Sequence, residues 1–399
     1  MDYLTNSNEL TLGIDATNLR GGGGVTHLVE LLRAAQPLKL GFGRVVVWGG
    51  MPTLKALDNR PWLDKRNPPA MDKGLLQRTL WQRFSLSQAA RDAGCDVLFV
   101  PGGSYAGNFH PVVSMSQNLL PFEMRELRRY GWSVLTLKWL LLRFTQARAF
   151  HQTDGVIFLT AYARDVVLNV TGKLRGQTCI IPHGLNARFS RRPKVQRAIA
   201  DYDDAHPYRV LYVSVIDQYK HQWNVVEAVA ALRKQGLPIM LDLVGPAYTP
   251  ALKHLNKTIA RVDADRCWVH YHGAIPYTEL HDMYAKVDMG IWASTCETFG
   301  IILLEAMASG LPIACSDKEP MPEVVGDAAV YFDPERPKDI ARALSKLIDS
   351  PKLRTELAQV SFQRAQQFSW QRCANETFSF LRDAARKRLY SGFPNGLLI

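Results

Sequence analysis

Two carboxylates in the last third of the chain, Glu297 and Glu305, stand eight positions apart around a loop that leads into a helix. Residues 298–300, Thr-Phe-Gly, interrupt an apolar run, and the pattern over 301–309 is helical until Gly310 ends it. Free N–H groups at the start of such a helix favour an anion such as a diphosphate. Carboxylates beside an anion are better suited to neutral hydroxyls, so both are predicted to hold sugar hydroxyls.

The alternative for this motif is an ordinary helix with an unrelated Glu at each end. One carboxylate would then be favoured by the N-terminal helix dipole, and the other would lie on a solvated face. Short motifs often match by chance, so the rest of the chain has to support the functional interpretation.

The composition is that of a globular enzyme. The 399 residues are enough for two domains, and 47% are hydrophobic and 21% charged, without low-complexity tracts or repeats. The first residues lack the basic and then apolar layout of a signal peptide. Six cysteines are scattered without a C-x-x-C pair, which predicts neither a zinc site nor a disulfide framework. A reducing cytoplasm is expected.

The net charge of +11 predicts an acidic partner. Nucleic acid is not expected, because no helix-turn-helix signature, aromatic RNA-binding motif or zinc finger is present. Anionic lipid is the other candidate. Residues 125–143 interleave Arg, Lys and Trp with aliphatic residues and are too short and too charged to span a bilayer. A basic helix here fits a membrane surface, and its apolar side equally fits a protein core, so both readings stay open.

Short apolar runs that end in loop-forming residues predict buried parallel strands, and helical patterns separate them. The first run is followed by a glycine loop, Gly21 to Gly24, and a helical pattern from His27 to Ala35. The alternation predicts an α/β fold with two doubly wound, Rossmann-like domains. The predicted strands are residues 10–15, 44–48, 96–100, 111–115, 155–159 and 178–182 in the first half, and 209–214, 240–245, 269–273, 289–292 and 312–315 in the second.

A polar stretch separates the two predicted domains. We expect an N-terminal acceptor domain over residues 1–190, a linker over 191–208, a C-terminal donor domain over 209–370, and a C-terminal helix over 371–399 that packs back on the N-terminal domain. Tandem domains of this type predict a cleft at the carboxyl edges of their strands. The Glu297 loop would form one lip of that cleft and the Gly21 loop the other.

These residues resemble the retaining nucleotide-sugar glycosyltransferases of family 4, which have the GT-B fold, and the resemblance spans nearly the whole chain. Its most specific part is Glu297-x7-Glu305 with Phe299-Gly300 between the carboxylates, continued by Ala306-Met307-Ala308-x-Gly310-x-Pro312. The supporting matches are Ile181-Pro182-His183-Gly184, Lys220, Leu243-Val244-Gly245, His272-Gly273, Pro322-Glu323 and Phe368-Ser369-Trp370.

The resemblance implies roles for individual residues. Glu297 would lie by the transferred sugar, Lys220 would neutralise the departing diphosphate, and Glu305 would hold the ribose hydroxyls. Glu297 and Lys220 are the implied catalytic residues. The implied donor-binding residues are Gly23, Gly24, Gln117, Asn118, Ser214, Lys220, His272, Gly273, Ile275, Glu297, Thr298, Phe299, Gly300, Ile301 and Glu305.

No metal and no cofactor are expected beyond the nucleoside-diphosphate-sugar substrate. Asp263-Ala264-Asp265 is a possible metal-binding pattern, but its place between a helix and a strand favours a solvated loop.

The chain departs from the family pattern at two places. Val215 stands where an Arg often accompanies the Lys, and Ser214 stands where a Gly is common. His221, or an Arg from elsewhere, is the candidate for the missing charge. Gln117 and Asn118 follow a strand where the family usually has a His; Gln117 is able to hydrogen-bond a sugar but not to carry a proton.

The expected function is transfer of a sugar, of mannosyl or rhamnosyl type, from a nucleoside-diphosphate donor to a glycan or lipid-linked acceptor with retained anomeric configuration. Cell-surface polysaccharide assembly, such as O-antigen or capsule, is the expected setting, with the protein peripheral to the inner face of the membrane. The alternatives are a nucleotide-sugar epimerase or phosphorylase of the same fold, and a non-catalytic module that binds an anionic surface.

Overall fold

The structure, a computed structural model, describes residues 9–391. The chain divides into two compact units. The first contains the residues through Phe122, Leu137–Gly184 and the chain from Ser369, and the second contains Glu123–Thr136 and Leu185–Phe368. Glu123–Thr136 therefore lies in the second unit although the chain on both sides of it lies in the first.

The first unit is built on a seven-stranded, all-parallel sheet in the order β3-β2-β1-β4-β5-β6-β7. Its strands are β1 Leu10–Ala16, β2 Phe42–Gly49, β3 Leu63–Arg66, β4 Val97–Val100, β5 Val112–Met115, β6 Gly155–Phe158 and β7 Gln177–Ile180. The helices of this part of the chain are α1 Gly23–Ala34, α2 Met51–Ala56, α3 Leu75–Phe84, α4 Leu86–Asp92, α5 Met124–Leu127, α6 Val134–Gln152 and α7 Ala161–Thr171. Of these, α5 belongs to the second unit.

The second unit is built on a six-stranded, all-parallel sheet in the order β10-β9-β8-β11-β12-β13. Its strands are β8 Tyr208–Val213, β9 Ile239–Val244, β10 Val269–Tyr271, β11 Met289–Trp292, β12 Ile313–Ser316 and β13 Ala329–Phe332. The helices that follow are α8 Gln222–Arg233, α9 Thr249–Val262, α10 Leu280–Ala285, α11 Ile301–Ala308, α12 Met321–Val325, α13 Pro337–Ile348, α14 Pro351–Ala365 and α15 Trp370–Ser391, the last in the first unit.

The predicted doubly wound α/β architecture is confirmed, and each predicted strand overlaps an observed one. The two strands that the sequence patterns miss, β3 and β13, are both edge strands. β3 reads Leu-Asp-Lys-Arg and is half-buried throughout, and β13 alternates between half-buried and buried residues. An edge strand needs no continuous apolar run, because one side of it faces solvent rather than another strand.

Three local expectations are wrong. Helix α1 begins at Gly23, so Gly23 and Gly24 form its first turn rather than a loop. Residues 125–143 are not one helix, because the chain breaks at Gly131, whose φ is 60°, before α6 begins. Asp263 is buried rather than solvated, and its carboxylate accepts the N–H groups of three residues that lead into β10, Cys267, Trp268 and Val269, at 2.8–3.0 Å.

The two sequence motifs around Gly184 and Trp370 meet in the first unit. A methyl group on Gly184 would overlap the backbone of Ser369 and Trp370, coming within 2.5 Å of the Ser369 carbonyl carbon. Beside this contact, the Leu185 N–H donates to the Phe368 carbonyl at 3.2 Å. Glycine is therefore required by close backbone approach at Gly184.

Gly184→Ala is expected to destabilise the protein by about 1–3 kcal/mol, because the added methyl meets rigid backbone rather than a movable side chain. Urea denaturation followed by circular dichroism measures the loss. Gly21→Ala is the control, since a Cβ there meets no atom within 4 Å. Equal midpoints for the two variants would contradict the packing argument.

Candidate active site

The order of strands in the second sheet brings Lys220 and Glu297 together. Strand order reverses between β8 and β11, which are neighbours in space but lie far apart in sequence. Connections from the carboxyl ends of two such strands leave in opposite directions and open a crevice between them. Lys220 follows β8 and Glu297 follows β11, so both side chains arise at this crevice.

The two side chains form an ion pair. The Lys220 ammonium donates to Glu297 Oε1. Lys220 is only 4% exposed, and its Nζ lies 4.9 Å from the ring centre of Tyr219 and 4.7 Å from that of Trp292. Aromatic faces attract a cation, so the rings and the carboxylate together compensate the desolvation of this ammonium.

A short 3-10 turn, Gln218–Lys220, fixes the position of the lysine. The Asp217 carboxylate caps this turn by accepting the Gln218 N–H at 2.7 Å, and the Lys220 N–H donates to the Asp217 carbonyl at 3.1 Å. Tyr212 Oη donates to the Lys220 carbonyl at 2.8 Å. The backbone at Lys220 is thus held from both sides.

The loop between Glu297 and α11 has the geometry that the motif predicts. Gly300 has a φ of 88°, a left-handed conformation that favours glycine, and caps α11 without a side chain. Phe299 is buried against Phe368, with ring centres 5.5 Å apart. No acidic residue occupies the first turn of α11. No acidic side chain of the first turn therefore offsets the positive end of the helix dipole.

Glu305 lies inside α11 and is only 1% exposed. Tyr277, in the loop after β10, donates its hydroxyl to Glu305 Oε1 at 2.5 Å. This contact places the β10 loop against the carboxylate that the motif assigns to ribose. Tyr277 carries no signal in the sequence, because its partner is 28 residues away on another element.

His221 does not replace the charge that Val215 lacks. It is buried, with its Nε2 3.3 Å from Thr295 Oγ1. Burial, and then the nearby Arg129 guanidinium, lower the pKa of His221 to about 4. The imidazole is neutral near pH 7 and adds no cation beside Lys220.

Asp242, His270 and His272 form a group of possible metal ligands, whose ligand atoms lie within 4.8 Å of one another. The fully buried Asp242 already accepts Arg209 Nε and Nη2 on Oδ2, at 3.0 and 2.8 Å. His272 Nε2 lies 2.7 Å from Oδ1. A metal ion would have to share this carboxylate with a guanidinium of the same charge sign. The arrangement is that of a buried carboxylate satisfied by Arg209 and His272.

The other predicted residues of the second unit lie at the same edge of the sheet. Ser214 follows β8, is buried, and accepts Gln222 Nε2 at 2.8 Å, so its hydroxyl is part of a local network. Gly273 and Ile275 follow β10, and the Gly273 carbonyl accepts the Gly245 N–H at 2.8 Å.

The predicted residues of the first unit form their own group. Gly24 lies against Gln117, since a Cβ on Gly24 would be 3.5 Å from Gln117 Oε1. The Gln117 amide donates to Met115 Sδ at 3.3 Å, and Asn118 Oδ1 accepts the Leu120 N–H at 3.2 Å. Gly24 follows β1, and Gln117 and Asn118 follow β5. The strand order of the first sheet reverses between β1 and β4, and β5 is the next strand after β4.

One turn further along α1, His27 forms a buried cluster with His183 and Trp370. The Nδ1 atoms of the two histidines are 2.9 Å apart, and both rings contact the Trp370 indole. Burial lowers the pKa of His27 to about 3. Burial, and then His27, also lower the pKa of His183.

Comparison with known proteins begins with the second unit. Residues 202–364 match the family model of glycosyl transferases group 1. Every predicted site residue of the second unit lies inside this match.

Curated relatives share part of the chain. An O-antigen chain mannosyltransferase B of Escherichia coli is 33% identical over 112 residues, which are 28% of this chain and 29% of the relative. A D-inositol 3-phosphate glycosyltransferase of Paenarthrobacter aurescens is 27% identical over 180 residues, 44% of each chain. The chain thus spans less than half the length of these two relatives.

Solved structures match nearly the whole chain at low identity. A sucrose-phosphate synthase from Thermosynechococcus elongatus has a TM-score of 0.72 at 17% identity, covering 96% of this chain and 100% of that one. The chain has the GT-B fold. Anabaena HepE, solved with UDP and glucose, has a TM-score of 0.66 at 16% identity, with the same coverage of both chains. The Lys220–Glu297 pair lies in the second, C-terminal unit of this fold.

The His27 cluster predicts an acid-sensitive fold. Because the folded-state pKa of about 3 lies below the ordinary value of 6.5, protonation favours unfolding, and stability is lost as the pH falls below 6.5. From pH 7 to pH 5 the loss from His27 is about 2 kcal/mol. Melting temperatures of the wild type and His27→Gln at both pH values measure it.

We expect the wild type to lose more stability than His27→Gln over this interval. The control is His206→Gln, since His206 is exposed, and it should follow the wild type. Equal pH dependence in all three proteins would contradict the prediction.

Proposed function

We propose that this chain is a retaining glycosyltransferase that moves a sugar from a nucleoside-diphosphate donor to a glycan or lipid-linked acceptor. The observation that carries the proposal is the buried Lys220–Glu297 ion pair, which lies before the N-terminus of α11 and inside the region that matches glycosyl transferases group 1. Assembly of cell-surface polysaccharide in the cytoplasm, at the inner face of the membrane, is the proposed setting.

The proposed donor site has a positive region for the diphosphate. A lysine ammonium has three N–H donors, so Lys220 has the capacity to bind a phosphate oxygen while it keeps Glu297. The N–H groups of the first turn of α11 add a second source of positive potential. These groups would stabilise the charge that develops on the leaving diphosphate, and we propose that the transfer proceeds without a metal ion.

The carboxylates serve the neutral parts of the donor. Glu297 lies between the lysine and the α11 loop, which suits a hydroxyl of the transferred sugar. Glu305, held by Tyr277, suits the ribose hydroxyls. Gln117 and Asn118 are further proposed contacts of the donor sugar, and the backbone at Gly273 and Ile275 would border the base. No side chain is assigned as a general base, so the departing phosphate oxygen is proposed to accept the proton of the acceptor.

The sugar class rests on similarity alone. The name of the Escherichia coli relative specifies a mannosyltransferase of an O-antigen chain. We therefore propose a mannosyl-type donor, with rhamnosyl as the alternative, and a growing glycan as acceptor.

Glu297→Gln and Lys220→Met are expected to lower kcat for sugar transfer by about 10²–10³-fold, because each removes a charge that acts in the transition state. Labelled nucleotide sugars, first selected by thermal shift, give the rates, and NMR of the anomeric proton gives the stereochemistry. Transfer should persist in EDTA.

The control for this experiment is Lys318→Ala, which removes an ordinary surface pair with Asp317 in the same unit. Undiminished transfer by Lys220→Met would contradict the proposal. Conversion of the donor sugar without a glycan product would identify an epimerase instead. Binding to anionic surfaces without any turnover would identify a non-catalytic module.

A face of α6 supports the membrane part of the proposal. Leu137, Leu141 and Phe144 repeat at helical spacing, and Leu137 and Phe144 are 68% and 67% exposed. The exposed Lys138 and Arg148 flank them. Among the described residues no helix has the length and apolar character to cross a membrane. An exposed apolar face with basic neighbours suits adsorption to an anionic lipid surface.

Replacing Leu141 and Phe144 by Ser is expected to lower binding to phosphatidylglycerol vesicles by about tenfold, because two apolar side chains no longer enter the interface. Sedimentation with acidic and neutral vesicles measures the bound fraction. Leu38→Ser is the control, since Leu38 is 59% exposed on another element of the first unit. Equal recovery with acidic and neutral vesicles would count against this surface.

A further inference from the structure

The segment Glu123–Thr136, called the strap below, lies in the second unit while its flanking residues lie in the first. It contains α5, the 3-10 turn Arg128–Tyr130 and the start of α6. It contacts the two loops that carry Lys220 and Glu297, and it also contacts Tyr248 and Glu335.

The strap contacts the Lys220 turn through Tyr130. Tyr130 Oη donates to Asp217 Oδ1 at 2.8 Å, the same oxygen that accepts the Gln218 N–H. The Tyr130 ring packs on Tyr248, with ring centres 5.7 Å apart. Asp217 anchors the turn that ends at Lys220, since its carboxylate accepts the Gln218 N–H and its main-chain carbonyl accepts the Lys220 N–H. The Tyr130 hydroxyl therefore fixes the side chain of the residue that anchors this turn.

The strap contacts the Glu297 loop through Glu126. This carboxylate is buried, and its Oε2 accepts Thr295 Oγ1 at 2.5 Å. Thr295 stands two positions before Glu297, and its N–H donates to the Tyr219 carbonyl at 2.9 Å. Glu126 therefore holds the point at which the two catalytic loops are hydrogen-bonded to each other.

Arg129 compensates the charge of the buried Glu126 carboxylate. Its Nε donates to Glu126 Oε2 at 2.7 Å, and its Nη2 donates to Glu335 Oε1 at 2.8 Å. A buried carboxylate without a partner is costly, and a guanidinium that bridges two acids removes that cost while fixing their geometry. Nε and Nη2 of Arg129 are thus engaged by Glu126 and Glu335.

We infer that the strap is a positioning element of the active site, in which Tyr130 and Glu126 together set the separation of Lys220 and Glu297. Neither residue touches Lys220 or Glu297 directly; Tyr130 acts through Asp217, and Glu126 acts through Thr295. The strap deepens the proposed function and rests on it. It means that a segment from the first half of the sequence completes the donor half of the site.

Tyr130→Phe and Glu126→Gln test the inference, each changing few atoms. Small displacements of catalytic groups are costly to rate, so we expect each variant to lower kcat by about tenfold and the double variant by more. The donor Kd, measured calorimetrically, should change by less than about threefold, because donor contacts remain. Tyr202→Phe is the matched control, since it removes a tyrosine hydrogen bond to Asp288 in the same unit.

A second readout needs no turnover. Loss of the Tyr130 hydrogen bond should loosen the turn that carries Lys220. Acylation of the Lys220 amine by an amine-reactive ester should therefore be faster in Tyr130→Phe and unchanged in Tyr202→Phe, as measured by mass spectrometry. Melting temperatures of the two variants are compared to show that both are folded.

The outcomes separate the two proposals. In the first outcome, the wild type transfers sugar and Lys220→Met does not, but Tyr130→Phe and Glu126→Gln have the same kcat as Tyr202→Phe. This outcome would overturn the strap inference alone. Absence of transfer in the wild type would overturn the proposed function, and the acylation rates would then decide the strap. Equal acylation in Tyr130→Phe and Tyr202→Phe would reject the positioning role in either case.

Discussion

The reversal of strand order between β8 and β11 is the constraint on which the candidate site depends. Parallel strands oblige each connection to return over one face of the sheet, and the reversal sends the two connections to opposite faces. A crevice at this point follows from the topology and needs no special sequence. Lys220 and Glu297 acquire their proximity from this topology, across 77 residues of sequence.

The charges at the crevice follow from its burial. An ammonium that is nearly removed from water needs compensation, which Glu297 and two aromatic rings provide. The helix that begins at Ile301 adds positive potential from backbone dipoles, which cannot move away. The site therefore combines an ion pair between two side chains with the positive potential of a helix N-terminus, which is fixed by the backbone. That combination suits a ligand that arrives with a compact negative charge and neutral hydroxyls.

Sequence patterns predict those parts of the site in which local chemistry and structure coincide. The glycine before α11, the two flanking carboxylates and the apolar strands all act within a few residues of their own position. Glu126 and Tyr130 could not be predicted in the same way, because their partners are 169 and 87 residues away and their own neighbours read as an ordinary basic helix. The predictions of a solvated Asp263 and of a charged His221 were wrong because both side chains are buried. Burial depends on the whole fold and is not revealed by a single position in the sequence.

The strap joins a solvent-exposed part of the chain, through hydrogen bonds, to the loops that carry Lys220 and Glu297. Trp132, which is 104% exposed, stands two residues after Tyr130 and two before the start of α6. One short segment thus carries the tyrosine that holds the Lys220 turn and an aromatic residue that presents its whole surface to solvent. Exposed Trp favours a membrane interface. Tyr130 and Trp132 are separated by one residue, so the part of the strap that holds Asp217 and the part that meets solvent belong to one short stretch of backbone.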